Sequence, residues 1–156
     1  MTRVLDVIRV DHADTEVATA LLELQRQAYE VEAALIGSGD IPLLTETLDE
    51  LQSSGETFLA VLVEGRIVGA VSYRLLSDTI DVHRLIVDPS HFRGGIGTAL
   101  VRAAVSAEPS ATRAIAQTGV DNEPAKALYL REGFEQTEEL EVAPGLRVAR
   151  FGKRLR

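Results

Sequence analysis

The chain has 156 residues, a net charge of −8 and no cysteine, which suits one domain around a single core and excludes disulfides, thiolate nucleophiles and Cys-based zinc sites. Its acidity argues against general nucleic-acid binding, which needs basic stripes, and is compatible with a cationic substrate such as an amine. No apolar run approaches the roughly 18 to 20 residues of a membrane span, and the N-terminus MTRVLDVIRVDHAD carries charges through its only apolar stretch, so no anchor or signal peptide is expected and the location expected is cytoplasmic.

Val4 to Val10 alternates as a first strand. Asp14 or Thr15 can cap a helix running to about Ala34, with Val17, Leu21, Leu24 and Ala28 on one face. Gly37-Ser38-Gly39-Asp40 breaks it, and Leu43 to Leu51 reads as a second helix ended by Ser53-Ser54-Gly55. Three strands follow as an antiparallel meander: Thr57–Glu64, Arg66–Leu76 and Thr79–Val87. Gly97 to Ser106 is helical, Thr112 to Val120 a strand, and Asn122 to Glu132 a helix stopped by Gly133. Phe134–Leu140 and Leu146–Leu155 form a final hairpin around Ala143-Pro144-Gly145. No repeat, low-complexity tract or linker divides the chain, so residues 1–156 are expected to be one domain of mixed α/β layers in the order β-α-α-β-β-β-α-β-α-β-β, with helices on both faces of the sheet.

Two segments carry chemistry. The first runs from the apolar strand ending at Val87 through Arg93-Gly94-Gly95-Ile96-Gly97-Thr98 into a helix. Glycines let a backbone approach a phosphate closely, and a helix N-terminus supplies free N–H groups and a favourable dipole. The run contains no Gly-Lys-Ser/Thr of a P-loop and does not fit G-x-G-x-x-G. The second segment is NEPAKALYLREGF from Asn122 to Phe134. Asn122 can cap this helix, with Pro124 tolerated in its first turn, and Tyr129 lies two turns along the same face. Between these segments and the meander, strict alternation would put Asp81, His83, Leu85 and Val87 on one strand face. A carboxylate and an imidazole there can accept a proton directly or through water. A metal reading of Asp81, His83, His91 and His12 lacks helix-paired histidine spacing, so no metal is expected.

In this order and spacing the two segments resemble the GNAT superfamily of N-acetyltransferases, from about Thr57 onward. The resemblance implies a GNAT-like fold and acetyl-CoA as cosubstrate. It implies backbone contacts to the pantetheine arm from Leu85, Ile86 and Val87, and phosphate contacts from Arg93, Gly94, Gly95, Ile96, Gly97 and Thr98. Asn122 would contact the same ligand, and Lys126 would be placed to approach its phosphates. Tyr129 would protonate the departing thiolate, and Asp81 falls where some members carry a general-base Glu, with His83 as second candidate. Against the family pattern Gln/Arg-x-x-Gly-x-Gly/Ala, Phe92 stands where Gln or Arg is usual, with Arg93 one position later. Each residue also has a plainer reading: Asn122 as a cap, Tyr129 as core, Lys126 as solvated surface and Asp81 as part of a strand-end turn.

The resemblance further implies transfer to a primary amine by direct attack. The acceptor would be a small molecule or a peptide, chosen by the first two helices and the last hairpin. Those carry Tyr29, Glu30, Glu32, Asp40, Glu46, Asp49, Glu50, Glu135, Glu138, Glu139 and Glu141. A homodimer is an assembly common in the family. The rival reading is a GNAT-like domain that binds or senses acyl-CoA without turnover.

Overall fold

The computed structural model describes residues 5–36, 45–91 and 94–155. In chain order it has β1 (Val7–Val10), α1 (Thr15–Ile36), α2 (Leu48–Gln52), β2 (Thr57–Val63), β3 (Arg66–Leu76) and β4 (Thr79–Val87). A 3-10 turn over Pro89–His91 leads to α3 (Ile96–Ser106), β5 (Arg113–Gly119), α4 (Glu123–Arg131), β6 (Glu135–Ala143) and β7 (Leu146–Arg154). The expected order of elements is observed.

Local chemistry sets the helix ends. Asp14 caps α1, its Oδ1 accepting from Glu16 N at 2.9 Å and from Val17 N at 3.3 Å. The second helix begins later than its expected start at Leu43: Thr47 is its N-cap and forms a reciprocal capping box with Glu50. Leu43 itself lies outside the described residues.

The strands form one seven-stranded sheet in the order β1-β2-β3-β4-β5-β7-β6, and only the β4–β5 pair is parallel. Helices cover both faces. Ile96, Leu100, Val101 and Ala104 of α3 and Leu128 and Tyr129 of α4 pack on Val71, Ile80, Ala114 and Phe151. On the other face Ala18, Leu21 and Leu24 of α1 and Leu51 of α2 pack on Phe58, Ala60, Ala70 and Ile86. Gly69 sets how closely α3 approaches. A Cβ there would lie 2.5 Å from Ile96 Cγ2 and 3.1 Å from Leu100 Cδ1.

The alternation expected along β4 is interrupted. Ser72 pairs with Arg84 and Tyr73 with Val82, so His83 is the extra residue of a β-bulge. Ile80 and Val82 belong to the α3 side before the bulge, and Leu85 and Val87 belong to it after. Asp81 therefore shares a face with Arg84 and Ile86, on the α1 side, and not with Leu85 and Val87. Period-two counting assumes one residue per ladder step, and the bulge breaks that assumption.

Candidate active site

β4 and β5 pair over only three positions, Thr79–Asp81 with Arg113–Ile115. Beyond them β4 runs on to Val87 and β5 to Gly119, and the two strands part. A crevice beyond the carboxyl ends of adjacent parallel strands is the place where open α/β sheets bind ligands. Leu85, Ile86 and Val87 remain paired with Val71, Ala70 and Gly69 of β3. Their β5 side has no ladder partner among the described residues, and an unpaired strand edge offers backbone groups to an extended ligand.

The exit from β4 is fixed by Asp88. Its Oδ1 accepts from Ser90 N at 2.9 Å and Ser90 Oγ at 2.7 Å, and its Oδ2 from Arg66 Nη2 at 3.1 Å. The Ser90 hydrogen bonds hold its carboxyl below the usual aspartate value. Gly95 then caps α3 in the left-handed conformation, φ +78°, with no side-chain hydrogen bond to the first turn. The N–H groups of Ile96, Gly97 and Thr98 thus lack a side-chain cap, and an anion such as a pyrophosphate suits that arrangement. Gly97 has a packing reason as well, since a Cβ there would come within 3.2 Å of Leu128 Cδ2 of α4. Gly94 is exposed beside this turn. Phe92 and Arg93 lie outside the described residues.

The far wall is α4. Asn122 is its buried N-cap, with Oδ1 accepting from Ala125 N at 3.2 Å. Lys126 Nζ donates to Val120 O at 3.0 Å and faces Glu123 at 3.4 Å, so its ammonium is held at the helix start. The helix ends in a Schellman motif. Gly133 has φ +88°, Gly133 N donates to Leu130 O at 3.2 Å, and Phe134 N donates to Tyr129 O at 3.0 Å. The motif's customary hydrophobic contact is made by the same residues: Tyr129 meets Phe134 edge-on at 5.3 Å and Phe151 at 5.5 Å. Tyr129 is 3% exposed and packs as part of the core.

On the α1 side of the bulge stands a buried polar cluster that sequence reading missed. Arg84 is 3% exposed. Its guanidinium pairs through both terminal nitrogens with Glu46, with Nη2 donating to Oε2 at 3.0 Å. Its Nε donates to Glu56 Oε1 at 2.8 Å, its Nη2 to Glu56 Oε2 at 3.1 Å, and its Nη1 to Gln25 Oε1 at 2.8 Å. The Phe58 ring lies 5.1 Å beneath it. Ser72 Oγ adds a donor to Glu56 Oε1 at 2.5 Å. Burial works against both charges, but the mutual hydrogen bonds outweigh it. They hold the Glu56 carboxyl below its usual value and Arg84 above its own. Glu46 had been placed among the acceptor-side carboxylates and Glu56 had not been singled out; the available signal was an arginine placed between Val82 and Ile86 in an apolar strand.

His83 joins this cluster to the surface. Its Nδ1 faces Glu56 Oε2 at 3.5 Å and its Nε2 lies 3.1 Å from Asp81 Oδ2. The structure thus brings Asp81 and His83 together on the lip of the parting, with Glu56 behind them. Of the acceptor-side residues, Tyr29 is buried in the α1 core, while Glu135, Glu138, Glu139 and Glu141 line the exposed outer strand β6. Glu50 serves the α2 cap, and Glu138 faces Arg150 at 3.0 Å. Asp40 and the side chain of Glu32 lie outside the described residues. No helix among the described residues is long and apolar enough to cross a membrane.

The comparisons with known proteins agree with this architecture. The model of the acetyltransferase (GNAT) family matches residues 18–134. The UPF0157 protein YqkA of Bacillus subtilis is 32% identical over 142 residues, 91% of this chain, and the chain spans 41% of that protein's length. The fold is shared with the PaiA N-acetyltransferase of Thermoplasma acidophilum, solved in complex with coenzyme A, at TM-score 0.74 and 17% identity over 97% of this chain and 99% of that one. It is shared also with the ribosomal-protein-S18-alanine N-acetyltransferase of Escherichia coli, at TM-score 0.76 and 14% identity over 97% and 94% of the two chains. The chain belongs to the acetyltransferase (GNAT) family.

Proposed function

We propose that residues 1–156 form one acetyltransferase domain that moves an acetyl group from acetyl-CoA to a primary amine. The observation that carries this reading is the parting of β4 from β5, which begins at Asp81 beside His83, together with the α3 N-terminus that has no side-chain cap; Tyr129 is assigned to the same site. Acetyl-CoA supplies an acetyl carbon activated as a thioester. The N–H groups of Ile96, Gly97 and Thr98, with Arg93 and Gly94, bind its pyrophosphate, and the edge of Leu85, Ile86 and Val87 aligns its arm. Asn122 keeps the start of α4 in place against the same ligand.

His83 or Asp81 accepts the proton that the amine must lose for its nitrogen lone pair to attack. As the new C–N bond forms and the C–S bond breaks, Tyr129 donates its phenolic proton to the sulfur and recovers it from solvent. Backbone N–H groups at the β4 edge hold the carbonyl oxygen. No covalent acyl-enzyme is needed.

The acceptor reading leans toward a peptide or other extended amine. The described part of the α1–α2 layer covers β1 to β4, whereas Arg113, Gln117, Arg150 and Arg154 stand exposed on β5 and β7 beyond Asp81. An open face admits a chain more readily than an enclosed pocket would. The test is release of free thiol from acetyl-CoA in the presence of a panel of primary amines and short peptides. Acceptor-dependent release that falls at least about tenfold in both Asp81→Asn and His83→Ala supports the reading. Acetyl-CoA binding without release for any acceptor would favour a sensing domain instead.

A further inference from the structure

We propose that the uncovered sheet face beyond Asp81 is a groove for an acidic peptide, in which Arg113 and Arg154 hold a side-chain carboxylate about three residues from the amine to be acetylated. That the peptide is the acetyl acceptor rests on the acetyl-transfer reading; its binding does not.

Strand register places the groove. Asp81 pairs with Ile115 of β5, and Ile115 pairs with Gly152 of β7, so the three form one row across the α1 side of the sheet. Ala114, Ala116, Ala149 and Phe151 turn the other way, into the core under α3 and α4. The α1 side of β5 and β7 therefore carries Arg113, Arg150 and Arg154, and no carboxylate. The described part of the α1–α2 layer packs on β2, β3 and β4 and leaves this face uncovered. The whole chain has a net charge of −8, so the face runs against the sign of the molecule.

Two of the three arginines are left without an anion. Arg150 is met by Glu138 at 3.0 Å, and Arg66, Arg102 and Arg147 also face carboxylates. Arg113 and Arg154 stand directly opposite each other in the ladder, where like charges repel. Their side chains make no hydrogen bond or ion pair among the described residues. Gly152 makes the floor between them and β6. A Cβ there would come within 3.2 Å of Arg113 Nη2 and 3.5 Å of Thr137 Cγ2, so the Arg113 guanidinium lies across β7 in the row of Asp81. With Thr112, Thr137 and Arg154 it lines a groove of about 620 Å³. Of the other charges there, Glu135 stands on the wall, and Lys153 is turned away, donating to Glu132 O at 2.7 Å. Asp78, at the near end, accepts from Thr112 Oγ1 at 2.6 Å; that bond, aided by the Arg113 charge, holds its carboxyl below the usual aspartate value. The planar fork of a guanidinium matches a carboxylate. Two strand spacings, about 10 Å, separate Asp81 from Gly152, and an extended chain covers that in about three residues.

The experiment is an amide NMR titration of the ligand-free protein with two hexapeptides, Ser-Ala-Glu-Glu-Ala-Ala and its counterpart with both Glu replaced by Gln. It needs no turnover. The acidic peptide is expected to bind at least about tenfold more tightly, with shifts centred on residues 112–115 and 152–154. Arg113→Gln and Arg154→Gln should each remove most of that preference. Arg147→Gln deletes the same charge from the other side of β7 and should keep it. Equal binding of the two peptides, no binding of the acidic one at millimolar concentration, or equal weakening by Arg147→Gln and Arg113→Gln would each overturn the proposal. So would a loss of acetyl-CoA affinity in Arg113→Gln, which would give the groove to the phosphates of that ligand. Steady-state rates then separate the two ideas. With acetyl transfer, Arg113→Gln should raise KM for the acidic peptide about tenfold and leave KM for acetyl-CoA as it is. Binding as expected without any transfer keeps the groove and rejects the functional reading; transfer with no preference for the acidic peptide keeps that reading and rejects the groove.

Discussion

The α4 motif and the Arg84 cluster each have a buried centre, yet they are assembled in opposite ways. α4 takes its cap, its phenol and its stop from residues 122–134, consecutive in the chain. The cluster gathers Gln25, Glu46, Glu56, Ser72 and Arg84 from distant segments, and the Gln25–Arg84 hydrogen bond spans 59 positions. The first owes its geometry to local backbone rules. The second exists only when α1, β2, β3 and β4 have docked. It follows that the two should fail differently: the cluster all at once, the helix piece by piece.

The sharpest break comes from Arg84→Met, which leaves Glu46 and Glu56 buried without their cation. Removing one partner of a buried ion pair costs about 3–5 kcal/mol, and urea unfolding should show a loss of that size. Acid probes the same cluster more gently. The Glu56 carboxyl sits below its ordinary 4.5 in the folded state, so its contribution is fully present above that value and is lost as pH falls through the lower folded value. Unfolding free energy measured across this window should drop with decreasing pH, and Glu56→Gln should flatten the slope.

Tyr129→Phe tests α4 at its centre. The ring keeps its contacts with Phe134 and Phe151, so the fold and acetyl-CoA affinity should persist while kcat falls by about a hundredfold. Equal loss of affinity and rate would assign Tyr129 to packing alone. The smallest effect is expected at the helix ends. Asn122→Ala removes the acceptor for Ala125 N and Gly133→Ala forces a side chain to φ +88°, each costing about 1 kcal/mol in thermal or urea unfolding.

This contrast also explains what was legible in the sequence. Asn122, Pro124, Tyr129, Gly133 and Phe134 announce a capped helix with a Schellman stop because each acts on neighbours within a turn or two. The element order and the glycine turn were readable for the same reason. The bulge was not. His83 looks like any strand residue, and its extra place in the ladder depends on β3 offering Ser72 and Tyr73 to Arg84 and Val82. Asp81 and His83 were named as neighbours, but on the wrong face relative to Leu85 and Val87. Arg84 gave a sign by being charged within an apolar run, but its partners could not be chosen among many acidic residues before the chain folds. The late start of α2 at Leu48 was recoverable from Thr47-x-x-Glu50, a local capping signal passed over in favour of apolar periodicity.

The central claim is that the parting between β4 and β5 holds acetyl-CoA, and calorimetric titration of the protein with acetyl-CoA tests it most directly. The account predicts one site per chain with micromolar affinity, weakened when Gly95 is replaced by a residue that disfavours the left-handed cap. No detectable heat or binding at millimolar acetyl-CoA would contradict it.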